Sequence, residues 1–341
     1  MPVQVGESKP AITALIDPFG RRIDYVRFSV TDRCDFRCVY CMSERMTFLP
    51  RARVLTLEEL ATLGRAFVEL GARKIRITGG EPLVRRNILW LFQELGRLRE
   101  HGLVELTLTT NGSQLERMAA DLKTAGVARV NISLDSLNPE RFHHLTRSGE
   151  LHPVLRGIRA ARAAGFQRIR LNAVILKGRN HDEVVPLARF AIENGLDISY
   201  IEEMPLGEIS DHDRAEAYYS SDAIRADLER VLTLVPTMEA TAGPSRYYRV
   251  PGGDSRIGFI SPYSHHFCDD CNRVRVSAEG RLLLCLGREH SVDLLHVLRA
   301  YPGDRERLKQ TIVAAMALKP RDHAFQMNGP MIGRHMNHTG G

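Results

Sequence analysis

"DYVRFSVTDRCDFRCVYC", residues 24–41, joins the two signals that decide how this chain is read. Its first part, 24–31, is rich in apolar and aromatic residues and then breaks at "TDRC", as a strand ending in a functional loop does. Its second part sets Cys34, Cys38 and Cys41 within eight positions, although the whole chain holds only six cysteines. Three thiols cannot pair off among themselves. Structural zinc takes four protein ligands, so three thiolates around a metal leave a vacancy. The rest of the sequence has to say what fills it.

Outward from this stretch, strand patterns alternate with helical ones. A helix follows over "LTLEELATLGRAFVELG", with Thr56 and Glu59 spaced as a capping box. Further strands are expected at 74–80, 105–111, 129–135, 168–175 and 197–204. Helices are expected at 87–101, over 136–165 and at 181–194, with Ser113 and Glu116 as a second capping box. Six βα units point to a parallel sheet covered by helices, either open or curved into an incomplete (β/α)6 barrel. All six strands end in polar or glycine-rich turns, where such folds gather their functional groups.

After about residue 210 the pattern changes. Ser221 can cap a helix through Leu232, and 246–286 is rich in short β patterns with a hairpin turn at "AEG". A last helix is expected over 304–318, and the tail "NGPMIGRHMNHTGG" has no periodicity. The reading gives an N-terminal extension (1–20), an α/β partial barrel (21–214) and a smaller C-terminal α+β module (215–341).

Composition is that of a soluble globular protein, 43% hydrophobic and 26% charged. No signal peptide opens the chain, and no apolar run approaches the roughly 18 residues of a membrane span. The chain therefore reads as cytoplasmic, with no membrane partner, where clustered cysteines stay reduced and bind metal or do chemistry. A net charge of +6 suits a mildly basic surface or an anionic partner.

The other three cysteines, Cys268, Cys271 and Cys285, form a second triplet. Taken alone it fits either an iron–sulfur cluster or a Cys3His zinc site completed by His265 or His266. The first triplet has no nearby histidine, and a cubane cluster held by three thiolates keeps one iron free for a small molecule.

C-x3-C-x2-C after a first strand, with Tyr40 before the last cysteine and "GGEP" (79–82) closing the second strand, resembles the radical S-adenosylmethionine superfamily. "SVTDRCDFRCVYCM", "KIRITGGEPLVR", "TTNG", "NISLDSL", "CDDCNRVRVSAEGRLLLCL" and the terminal "GG" together resemble the GTP 3′,8-cyclase family of molybdenum cofactor biosynthesis, from about residue 20 to the end. The resemblance implies two [4Fe-4S] clusters, one on each triplet, with S-adenosylmethionine on the free iron of the first. It implies a 5′-deoxyadenosyl radical that takes hydrogen from C3′ of GTP, after which the carbon radical attacks C8. It places Tyr40, Gly79, Gly80, Glu81, Ser133 and Met204 against S-adenosylmethionine, and Arg27, Arg76, Thr109, Arg170, Arg273 and Arg275 against GTP. Arg27, Arg76, Arg273, Arg275 and the diglycine Gly340-Gly341 are the positions it implies for catalysis. Arg170 stands where the family commonly has lysine, and Asp35 where it has asparagine. The implied partners are GTP, a reductant protein and a downstream cyclic pyranopterin monophosphate synthase; the oligomeric state stays open between monomer and homodimer.

Alternation supports the arginines independently. Arg76 shares a strand face with Lys74 and Thr78, while Ile75 and Ile77 face the helices. An arginine on a barrel's inner face needs an anion. Two other readings compete: a radical S-adenosylmethionine peptide-modifying enzyme, which should carry more cysteines in its C-terminal module, and a zinc-containing nucleic-acid-binding protein. Against the second, Trp90 falls in a helix, and no aromatic–basic stripe offers bases a stacking platform, so no nucleic-acid partner is expected.

Overall fold

The computed structural model describes residues 14–209, 211–237, 244–326 and 332–340. One mostly parallel sheet runs through them. Its strands are β1 Tyr25–Ser29, β2 Lys74–Thr78, β3 Glu105–Thr110, β4 Val127–Ser133, β5 Arg168–Ile175, β6 Asp197–Glu202, β7 Val235–Pro236, β8 Arg246–Arg249, β9 Arg256–Ile260, β10 Arg273–Val276, β11 Arg281–Leu283 and β12 Ser291–Asp293. The spatial order is β12-β11-β10-β1-β2-β3-β4-β5-β6-β9-β8-β7.

Strands β1 to β6 pair in parallel and in sequence order, which is the incomplete barrel expected from the six βα units. The C-terminal strands then extend the same wall at both edges. β10 docks on β1 and β9 on β6, both in parallel. Short antiparallel strands finish each edge, β11 and β12 on one side and β8 and β7 on the other. Edges this short offer little to a foreign strand.

The wall is buried on both faces for different reasons. Val26, Phe28, Ile75, Ile77, Leu106, Leu108, Val130 and Ile132 are fully buried under the covering helices. Phe28 meets Phe67 of the helix Leu57–Glu69 edge to face, with ring centroids 6.0 Å apart. Arg27, Arg76, Thr107, Thr109 and Asn131 alternate with these residues and occupy the opposite, inner face. Among the described residues no helix is long and apolar enough to cross a membrane.

The Thr56–Glu59 capping box forms, with Glu59 N donating to Thr56 Oγ1 at 3.1 Å and Thr56 N to Glu59 Oε2 at 2.7 Å. Thr56→Ala should lower the unfolding free energy by about 1 kcal/mol and leave activity unchanged, as chemical denaturation and turnover would read. The second expected box does not form. Ser113 Oγ donates to Asp35 Oδ2 at 2.6 Å, so the helix starts at Leu115, and Glu116 pairs with Arg156. Ser220, not Ser221, caps the helix Ser221–Glu229, which stops short of Leu232; Ser221 Oγ instead accepts from Ser261 at 2.6 Å. The hairpin at "AEG" is present between β10 and β11, with Gly280 at φ +78°, a conformation that favours glycine.

Candidate active site

The C-terminal ends of β1 to β6 open onto a cavity bordered by Cys34, Cys38 and Cys41. The cysteine loop is tied down from two sides. Arg37 N and Val39 N donate to the carbonyls of Thr146 and Leu145, at 2.8 and 2.9 Å. On the other side Gly80 N donates to Thr31 O at 2.7 Å and Glu81 N to Arg33 O at 2.8 Å. A Cβ on Gly79 would sit 2.7 Å from Thr31 O, and one on Gly80 2.4 Å from Arg33 O. Glycine at the end of β2 is thus what lets it lie directly against the cysteine loop.

Tyr40, Ser133 and Met204 border the same cavity, as do Gly79 and Gly80. Glu81 does not. Its side chain is fully buried behind the wall, taking Leu83 N at 2.9 Å, Asn111 N at 2.6 Å and Thr110 Oγ1 at 2.8 Å. Burial raises its pKa to about 8, against the pull of those amides. Tyr40 donates to Asp135 Oδ2 at 2.6 Å, and Asp135 Oδ1 accepts from Val174 N at 2.8 Å. The charge of Asp35 is absorbed locally by Asn111 Nδ2 and Ser113 Oγ, both at 2.6 Å.

Burial pushes all three thiols of this loop up, Cys41 to about 12; Glu81 adds to the effect at Cys34 and Asp135 at Cys38. Thiolates in such a place need a cation bonded to them. Among the described residues no three His, Cys, Asp or Glu side chains converge on a single-ion site. Zinc requires that convergence, whereas a cubane gives each thiolate its own iron. Three half-buried cysteines beside an open cavity fit an iron–sulfur cluster with a free iron.

A second cavity lies across the inner face, with about 1370 Å³ of empty space counting its mouth. Cys268, Cys271 and Cys285 border it, as do Arg27, Arg76, Arg170, Arg273 and Arg275. Register explains the arginines' proximity. Arg275, Arg27 and Arg76 are neighbours across β10, β1 and β2, and Arg273, Tyr25 and Lys74 form the adjacent row.

Several of these cations are held by hydroxyl, carbonyl and aromatic groups. Arg76 donates to Tyr25 Oη at 2.7 Å, Thr109 Oγ1 at 3.0 Å and Leu108 O at 3.2 Å. Arg275 donates to Gly340 O at 2.9 Å, Arg273 lies 4.6 Å from the Phe267 ring, and Arg170 donates to Tyr247 Oη. Burial and the neighbouring Arg275 hold Arg27 well below its ordinary value, and burial with Arg273 brings Arg275 down to about 10. For Tyr25, burial works upward, but Arg76, Arg27, Lys74 and Arg273 outweigh it and bring the phenol down to about 6. Mutually repelling cations that lower the pKa of a neighbouring phenol suit a polyanion.

Tyr25 therefore yields a signed prediction. Its folded pKa lies below the unfolded value of about 10, so the phenolate's contribution to stability is fully present above that value. It is lost as pH falls through about 6. A bound polyanion favours the neutral phenol. Binding of inorganic triphosphate to the iron-free protein near neutral pH, read in weak buffer, should take up more protons in the wild type than in Tyr25→Phe.

The second triplet sits in more cationic surroundings than the first. Lys319, 3% exposed, places Nζ 3.6 Å from Cys271 Sγ and donates to Leu284 O at 2.6 Å and Arg273 O at 3.0 Å. Burial raises the Cys271 thiol, but Lys319 and Arg273 outweigh it and bring it below its ordinary value. His265 is engaged with Asp222 at 3.1 Å, and His266 packs against the His323 ring at 5.7 Å. This leaves the Cys3His zinc arrangement without geometric support, and the triplet fits an iron–sulfur cluster.

The two cavities meet. Thr109, Asn172, Ile201, Met204 and Met336 border both. The tail reaches them: Asn337 Nδ2 donates to Asp32 O at 2.9 Å, and Gly340 lies against Thr78. Gly341 falls outside the described residues. Sequence reasoning overlooked Tyr25, Lys319 and Met336 as site residues. Tyr25 was findable, being two residues from Arg27 on one strand face, whereas Lys319 and Met336 carry no local signal.

Comparison with known proteins agrees with this geometry. Residues 28–191 match the radical SAM superfamily, and residues 196–325 match the family described as Molybdenum Cofactor Synthesis C. A GTP 3′,8-cyclase of Pseudomonas entomophila is 60% identical over 96% of this chain and 98% of its own length. One from Marinobacter nauticus is 58% identical over 96% and 99%. Among solved structures, Streptococcus suis SuiB bound to S-adenosylmethionine shares the fold, with a TM-score of 0.59 at 15% identity over 83% of this chain and 66% of that one. By its similarity over nearly the whole length to these relatives, the chain belongs to the GTP 3′,8-cyclase family of the radical SAM superfamily.

Proposed function

We propose that this protein converts GTP to 3′,8-cyclo-7,8-dihydro-GTP, the first step of molybdenum cofactor biosynthesis, with S-adenosylmethionine and two [4Fe-4S] clusters. The observation that carries the reading is the meeting of two cysteine-bordered cavities, one of them paved with arginines. A cluster on Cys34, Cys38 and Cys41, with S-adenosylmethionine on its free iron, supplies one-electron chemistry able to take a hydrogen atom from a ribose C–H bond.

The chain's own residues do the rest. Cys268, Cys271 and Cys285 would hold the second cluster beside the base, with the Lys319 ammonium offsetting thiolate charge at Cys271. Arg27, Arg76, Arg170, Arg273 and Arg275 bind the triphosphate, and the relief of their mutual repulsion makes binding favourable. Thr109, which takes a hydrogen bond from Arg76 and borders both cavities, orients the ribose toward the first cavity. Tyr40, Gly79, Gly80, Ser133 and Met204 line the space for S-adenosylmethionine; Glu81 shapes that space from behind by fixing Asn111 and the turn at Leu83. Gly340 steadies Arg275 through its carbonyl.

Over the reaction the substrate loses a hydrogen atom at C3′, gains a C3′–C8 bond, and takes up one electron and one proton. The product therefore has the mass of GTP. A reductant protein supplies the electrons, and a cyclic pyranopterin monophosphate synthase consumes the product.

The test is anaerobic turnover of the reconstituted protein with dithionite and S-adenosylmethionine. GTP should strongly stimulate 5′-deoxyadenosine formation and yield a new nucleotide of unchanged mass but different chromatographic retention. Slow 5′-deoxyadenosine formation indifferent to GTP would overturn the assignment of substrate.

A further inference from the structure

We infer that Met336 is the partition between the two cavities, a positioning residue that keeps the S-adenosylmethionine space and the nucleotide space apart except at one opening. The inference deepens the function proposed above and rests on it.

Of the five described residues that border both cavities, four belong to the barrel wall or its rim. Thr109 stands on β3, Asn172 on β5, Ile201 on β6, and Met204 just beyond β6. A wall residue borders both spaces simply because the wall runs past both. Met336 is different, because it is the one contributed by the C-terminal tail, in the short helix Met336–Thr339.

That helix is pinned around Met336. Before it, Ile332 pairs with Leu206, and Gly207 N donates to Ile332 O at 2.8 Å. After it, Asn337 is fully buried and reaches Asp32 O beside the first cysteine loop. Ala278 N donates to His338 O at 3.3 Å, and Gly340 O accepts from Arg275 in the second cavity. The tail is therefore tied to the first cysteine loop at one residue and to the arginine row at another. Met336 lies next to the first of these ties and borders both spaces.

Its neighbours Asn337 and Thr339 are fully buried, whereas Met336 itself is only half-buried, bordering open space. An unbranched apolar thioether suits this place. It displaces water from a junction where Thr109 and Asn172 face Ile201 and Met204, and its rotatable bonds let it yield to whatever occupies either side. Misplacing reacting groups by about 1 Å can cost roughly 10²-fold in rate. The partition thus serves alignment of the ribose C–H bond at a single opening, and exclusion of water from it.

Two readouts test this. First, in protein labelled with [methyl-13C]methionine and left unreduced, the Met336 methyl signal, assigned by its absence in Met336→Leu, should shift on adding S-adenosylmethionine alone and on adding GTP alone. A shift with only one of them would overturn the partition. Second, Met336→Ala should keep wild-type iron content yet raise the ratio of 5′-deoxyadenosine to cyclised nucleotide by roughly 10–100-fold, and Met336→Leu, of similar bulk, should bring the ratio back near wild type. An unchanged ratio in Met336→Ala, with wild type making product normally, would sink this inference alone. Absence of cyclised product from wild type would instead sink the proposed function.

Discussion

Cys38→Ala is expected to abolish S-adenosylmethionine cleavage outright, with or without GTP. Cys38 is the middle thiol of the first triplet, on a loop whose flanking backbone is fixed by Thr146 O and Leu145 O. The nearby carboxyls Asp135 and Glu81 are committed to Tyr40 and to backbone amides, so they do not take its place. On the assignment proposed above, loss of Cys38 removes the cluster, and with it the chemistry. Cys271→Ala is the informative partner. It damages the second cavity only, so slow GTP-independent formation of 5′-deoxyadenosine should survive while cyclisation disappears. Cleavage at the wild-type rate in Cys38→Ala would refute the assignment of the first triplet.

Gly340→Val should spare iron content and basal S-adenosylmethionine cleavage yet lower cyclisation of GTP by roughly 10²-fold or more. Two independent features make the position intolerant. Gly340 has φ +76°, a region that costs a side-chain-bearing residue about 1–3 kcal/mol. A Cβ there would also lie 2.2 Å from Thr78 Cγ2, on a strand that cannot shift without moving Arg76. The displaced tail would release Arg275 from Gly340 O and disturb Met336 at the junction. Deleting Gly340 and Gly341 should act in the same way, and iron content with 5′-deoxyadenosine yield separates this outcome from unfolding. Full cyclisation in either variant would reduce the tail to an ordinary chain end.

Much of the fold could be read from alternation. β1 to β6 fall close to the expected runs because apolar residues facing helices and polar residues facing inward leave a period of two in each strand. The same period exposed Arg27, Arg76, Arg273 and Arg275, and it would have exposed Tyr25. What stayed hidden depends on distant partners. The β patterns at 256–260 and 273–276 were visible, but their parallel docking on β6 and β1 was not, since β10 pairs with a strand more than two hundred residues earlier. Ser113 looked like a helix cap until Asp35, brought close by the cysteine loop, claimed its hydroxyl. Glu81 belonged to a motif at the cavity, and only the packing of Asn111 and Leu83 turned its carboxylate inward. Lys319 gains its role only from Cys271, Arg273 and Leu284, and Met336 only once the tail has folded back over the barrel.

The most direct test uses GTP carrying deuterium at C3′. Turned over anaerobically with S-adenosylmethionine and dithionite, it should deliver that deuterium to 5′-deoxyadenosine, which gains one mass unit in step with the appearance of cyclised nucleotide. Such transfer would place the ribose of GTP at the opening between the two cavities. Unlabelled 5′-deoxyadenosine, formed at the same rate whether or not the labelled nucleotide is present, would contradict the account of which substrate this site was built to hold.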